Sequence, residues 1–241
     1  MLKRIYKAKA LPNIIDAGVT EYIAKELYSA VEDGYGKSLL TVDFTTPDYE
    51  VLRHLKTNVY EFSAAKNYQM GKELTKTLIG DDGKLRSFSE FKRASFNVLN
   101  EQVTSHMAVE YNLAVAGGQM SATWERAQQN KAVLPLMQYV TVGDGRVRPE
   151  HAELDGIIRP VDDSFWDMYY PPNGWGCRCD VISLTDGTIT PLENIVTPEK
   201  MPAMLKTNLA KTGLIYPPNH PYYIGMPHQV KEQAEKLLYK K

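Results

Sequence analysis

Leu136-Met137-Gln138-Tyr139-Val140-Thr141-Val142-Gly143-Asp144-Gly145 is where the character of this chain changes. The run from Leu136 to Val142 carries aromatic and β-branched residues and closes in a Gly-Asp-Gly turn, which is a strand pattern. Before Pro135 the sequence reads as helix. Ile15, Val19, Ile23, Leu27 and Val31 recur at helical spacing, and Gly34 and Gly36 supply a stop. Thr46-Pro47-Asp48 predicts a helix start, with Thr46 as cap and Pro47 in the first turn, where its missing N–H costs nothing. Val51, Leu55, Val59 and Phe62 continue on one face, through Leu74 and Leu78 to Gly80. Ser87-Phe88-Ser89-Glu90 is a capping box. Beyond it Phe91, Ser95, Val98, Gln102 and His106 share a face, and the helix is expected to reach Asn130 with a break near Gly117-Gly118.

On the other side of the decisive stretch, Ile157–Val161 and Asp180–Leu184 are short strand candidates. Residues 139–182 also hold four prolines (149, 160, 171 and 172), Trp166, Trp175 and both cysteines. Such a density of rigid and turn-forming residues predicts a fixed irregular shape. A short helix is expected after Thr197-Pro198, then a loop from Tyr216 to Tyr223 and an amphipathic end helix bearing Val230, Ala234, Leu237 and Leu238. The fold class is α+β: a mainly helical N-terminal half, then a compact strand-and-loop module with short helices at the C-terminus.

Composition bounds the function. The 241 residues are 43% hydrophobic and 24% charged, ordinary values for a chain that buries a core. Twenty-eight Lys and Arg against 29 Asp and Glu leave a formal charge of −1, without the basic excess of a protein that coats nucleic acid. No apolar run approaches the roughly 18 to 20 residues needed to cross a bilayer. Met1–Lys7 is basic, but no apolar stretch with a cleavage site follows, so no secretion signal is expected. Two cysteines rule out a disulfide framework, and as Cys177-Arg178-Cys179 they stand too close for an easy bridge.

Those cysteines close a longer pattern. Its first half is Thr141-Val142-Gly143-Asp144-Gly145-Arg146-Val147-Arg148-Pro149-Glu150-His151-Ala152-Glu153-Leu154-Asp155-Gly156. Its second is Asp162-Asp163-Ser164-Phe165-Trp166, then Pro171-Pro172-Asn173-Gly174-Trp175-Gly176-Cys177-Arg178-Cys179. Together they closely resemble the phage Mu protein F-like family of phage head morphogenesis or minor head proteins. Tyr111-Asn112-Leu113-Ala114-Val115-Ala116 with Trp124 is similar to the family's helix ahead of the motif, and His220-Pro221-Tyr222 to its ending. The resemblance divides the chain into a helical region over 1–90 and a Mu F-like domain over 91–241. It implies a minor head protein of a tailed phage or prophage, made in the bacterial cytoplasm and found in the procapsid or virion. The implied partners are portal, capsid or scaffold proteins, with no membrane. The alternatives are a metal-dependent or nuclease-like enzyme using the same polar residues, or a DNA-associated virion protein.

The residues of the signature carry their own chemistry. On a strand, Cys177 and Cys179 point to one face and their sulfurs converge. With His151 they are the candidate ligands of a zinc ion, and Asp155, Asp162 or His220 would supply a fourth. Free cysteine also packs as a small buried hydrophobe, and the expectation is packed thiols with no cofactor. Arg146, Arg148, His151 and Asp155 could form a catalytic cluster, with Asp155 or Asp163 orienting His151. A loop poor in apolar residues needs polar partners for its backbone, however, and a hydrogen-bonded scaffold without enzymatic activity is expected. Trp175, held between glycines, is expected to plug a local core with its N–H on a carbonyl. Lys3, Arg4, Lys7 and Lys9 at one end, and Lys236, Lys240 and Lys241 at the other, are read as solvated termini.

Overall fold

The helices of the first half start and stop where local chemistry dictates. In the computed structural model, which describes residues 1–196 and 198–239, α1 spans Leu2–Ala8 and α2 spans Ala17–Tyr35. Gly36, at φ +77°, takes the left-handed conformation that ends α2. Helix α3 runs Pro47–Lys76 with proline in its first turn. Thr46, expected as its cap, instead donates its hydroxyl to the Asp43 carbonyl at 2.6 Å. Helix α4, Phe88–Glu101, opens on the expected capping box: Ser87 Oγ accepts from the Glu90 amide, and the Glu90 carboxylate accepts from the Ser87 amide at 2.9 Å.

Helix α4 passes through five π-helical residues, Gln102–His106, into α5, Met107–Asn130. The break expected at Gly117-Gly118 does not occur. Gly118 serves close packing instead: a Cβ there would collide with the Val31 carbonyl oxygen of α2. Reciprocally, a Cβ on Gly34 would collide with the carbonyl oxygen of Val115. The missing side chains let two helix backbones touch. The same need places Gly34 inside α2 rather than at its end.

All three expected strands form. Strand β1 is Leu136–Val140, β2 is Ile158–Pro160 and β3 is Asp180–Leu184. They make an antiparallel sheet in the order β2-β1-β3, with Leu136 opposite both Pro160 and Leu184. Short helices α6 (Pro149–Ala152) and α7 (Phe165–Tyr169) fill the connections. Thr197, where a helix start was expected, lies outside the described residues. Beyond it come a 3₁₀ turn at Ala203–Leu205 and α8, Leu209–Thr212. The end helix α9 spans His228–Leu238 and buries Val230 and Ala234. Lys240 and Lys241 also lie outside the described residues. No described helix is long and apolar enough to cross a membrane. The α+β class is as read from the sequence.

Contacts gather the chain into two units. One comprises Met1–Tyr28, Lys56–Tyr111 and Pro218–Lys241. Its core is Ile5, Met70, Leu74, Leu78 and Phe91, with a smaller cluster of Ile15, Ala64, Val230 and Ala234. This unit also buries an ion pair, Lys66 with Glu110, beside His220 and Tyr222. The other comprises Ser29–Leu55 and Asn112–Pro217 and holds the sheet. Met120, Trp124 and Ala127 from α5 pack there on Met137 and Tyr139 of β1 and on Leu154, Phe165, Trp166 and Tyr170. The Trp166 ring N–H donates to the Pro160 carbonyl at 2.9 Å, so this tryptophan plugs the core in the way expected of Trp175. Trp175 itself is only half-buried.

Candidate functional site

The two halves of the sequence signature meet at one imidazole. After β1 the chain turns at Gly143, φ +67°, and Pro149 opens α6 at its first position. One turn of that helix carries His151 inward to 2% exposure. From the other direction the chain leaves buried Pro171 and Pro172, turns at Gly176 (φ +64°), and passes Cys177 and Cys179 before entering β3. The Asp144 carboxylate clamps the two segments together, accepting from both terminal nitrogens of Arg178 at 2.7 and 2.8 Å. That hydrogen-bonded pairing holds the Asp144 carboxyl well below the usual aspartate range.

At the meeting point His151 Nδ1 lies 3.3 Å from Cys179 Sγ and 3.5 Å from Cys177 Sγ. The three donor atoms all fall within 4.8 Å of one another. On the far side of the ring, Arg148 Nη1 is 3.2 Å from Nε2, and Arg148 Nη2 donates to the Trp175 carbonyl. Arginine has no acceptor atom, so Nε2 accepts and the ring proton sits on Nδ1, facing the sulfurs. The contact with Cys179, reinforced by His151, pulls the Cys177 thiol down against its burial. The same contact and burial push the Cys179 thiol up. The two sulfurs thus titrate as one unit. Neither cysteine is in a disulfide. A small recess of about 30 Å³ opens beside them, bounded by Val142, Val147 and Arg148.

Tyr139, which sequence reasoning left out of the site, belongs to it. It is fully buried on β1, its hydroxyl faces Cys179, and burial and the neighbouring cysteines push it far up. The alternation of the strand, which turns Met137 and Tyr139 to the same buried side, is the signal that marks it.

The other predicted side chains are drawn elsewhere. Asp155 accepts from the Thr141 amide at 2.7 Å. Asp162 pairs with Lys131 at 2.9 Å. Asp163 pairs with Arg159 at 2.6 Å and accepts from the Phe165 amide. None of these carboxylates joins the three-residue group around His151. Arg146 is largely exposed and reaches Asp144 at 3.4 Å. His220 belongs to the other unit, its ring 5.1 Å from that of Phe62. Leu154, Phe165 and Trp166 are core residues, and Gly156 turns the chain at φ +79°. Most of the signature's charge therefore secures its own loops, while His151, Arg148, Cys177 and Cys179 converge.

Residues 69–182, which contain Tyr139, Asp144, Arg148, His151, Cys177 and Cys179, match the family described as Phage Mu protein F like protein. A stretch of 79 residues is 40% identical to the putative capsid assembly protein F of Escherichia phage Mu, covering 33% of this chain and 18% of that protein. Sixty-six residues are 41% identical to the Mu-like prophage FluMu F protein of Haemophilus influenzae, covering 27% of this chain and 16% of that protein. The matches thus span less than a fifth of the length of either relative. No solved structure matches the chain.

Proposed function

We propose, from the match of residues 69–182 to the Mu F-like family, that this protein acts in capsid assembly during head morphogenesis of a tailed phage or prophage. The relative from phage Mu carries the name of a putative capsid assembly protein. The observation that carries the reading is the ordered signature from Asp144 to Cys179 within the matched segment, folded there as one clamped module. In this reading the Mu F-like domain, taken as 91–241, works in the procapsid or virion. It docks on the portal or the inner capsid, with portal, capsid or scaffold proteins as partners. A formal charge of −1 favours protein partners over bulk coating of DNA.

The role is structural rather than enzymatic. In the proposed catalytic cluster, Asp155 and Asp163 are each held by another donor, which leaves His151 with Arg148 and the two sulfurs. Co-expression with the cognate portal, scaffold and capsid genes tests the reading. Heads assembled in its presence are expected to contain the protein by mass spectrometry, and omission of its gene is expected to reduce infectious or full heads. Normal heads in its absence, together with no association with portal, scaffold or capsid protein, would sink it.

A further inference from the structure

We propose that His151, Cys177 and Cys179 form a zinc site. The donor set is two thiols and an imidazole, the soft and borderline ligands that select this ion among the common divalent metals. Their spacing already fits. With Zn–S near 2.3 Å and Zn–N near 2.0 Å, the N···S edge of a tetrahedral site is roughly 3.5 Å. The two N···S distances are 3.3 and 3.5 Å, both measured to the same atom, Nδ1. An ion drawn in among them needs only small side-chain movements.

The surroundings supply the rest. The Tyr139 hydroxyl is buried beside Cys179, whose neutral thiol is only a weak acceptor for it. Metal binding turns the neighbouring thiol into a thiolate, a strong acceptor, and the hydroxyl then holds the ligand in place. The fourth position faces the recess of about 30 Å³, which is enough for one water molecule. Arg148 completes the exchange. Zinc takes the Nδ1 lone pair, the ring proton passes to Nε2, and the guanidinium turns from that nitrogen while keeping the Trp175 carbonyl it already binds. The thiol protons leave to solvent, so the site binds with proton release. The ion would tie α6 to the segment entering β3, joining the two halves of the signature through a second clamp beside Asp144 and Arg178.

The experiment uses the full chain, purified without a metal-binding tag from zinc-supplemented cells. About one zinc per chain is expected by elemental analysis. After chelation, cobalt(II) is expected to restore a thiolate-to-metal charge-transfer band that C177S and C179S each abolish. A folded wild-type chain that retains no zinc and gives no cobalt band overturns the site, as does a C177S/C179S chain that retains zinc equally. Tyr139→Phe, which removes only the hydroxyl, is expected to keep the fold and weaken zinc affinity about tenfold. Unchanged affinity in that variant removes Tyr139 from the site.

Discussion

Lys66 Nζ donates to Glu110 Oε2 at 2.5 Å, with the two side chains only 1% and 4% exposed. Burial lowers the lysine and raises the glutamate, so each charge persists because the other answers it. Glu110→Leu or Lys66→Met would leave one buried charge unanswered and is expected to cost about 3–5 kcal/mol. The double variant Lys66→Met/Glu110→Leu is expected to recover most of that loss. Chemical denaturation of the four proteins measures the coupling.

The contact between α2 and α5 gives a sharper contrast. Gly34→Ala and Gly118→Ala each drive a methyl group into a backbone carbonyl that cannot step aside. Each is expected to cost at least about 2 kcal/mol. Gly145→Ala meets nothing within 4 Å and has no left-handed φ to strain, so it should leave the melting temperature unchanged or slightly raised.

His220 predicts a pH dependence. Burial, and then the nearby Lys66 charge, depress its pKa from 6.5 to about 4. The unfolded chain binds this proton more readily than the folded one. The stability it contributes is therefore full above pH 6.5 and is lost as pH falls towards 4. The loss is on the order of 2–3 kcal/mol. Its Nδ1 also accepts from the Tyr222 amide at 3.1 Å, a bond that a neutral ring provides. His220→Asn is expected to keep that acceptor and flatten the profile of melting temperature between pH 4 and 6.5.

Asp144 titrates in the opposite sense to a raised group. Arg178 lowers its carboxyl below the ordinary 3.8. The stability it lends is full above that value and disappears as the pH falls further, once the folded carboxyl takes its proton. Asp144→Asn should melt below wild type at neutral pH, and the gap should close on strong acidification.

Several features were legible because they are local. The capping box at Ser87 and Glu90, the proline start of α3, and the three short strands each depend on residues within one turn or one strand. His151, Cys177 and Cys179 could be named together from the sequence as candidate ligands, and the fold brings the three within reach of one another. What escaped depends on distance. Lys66 and Glu110 are 44 residues apart, and neither segment shows that both will be buried. Gly117-Gly118 looks like a helix break until α2 is set against it. Asp155, Asp162 and Asp163 were candidates by proximity in sequence, but each has a nearer donor: an amide at Thr141, Lys131 and Arg159. Tyr139 read as an ordinary strand residue because its role arises only where β1 passes the cysteines.

The π-helical stretch at Gln102–His106 sets the phase of everything that follows it in the same rod. One residue more than an α-turn needs is lodged there, and each residue of an α-helix advances the face by roughly 100°. Deleting a single residue between 102 and 106 would let the rod close into uninterrupted α-helix. It would also rotate Glu110 about a quarter-turn off its bearing towards Lys66. The irregular turn and the buried charge pair are thus a single device, and neither can be altered without disturbing the other.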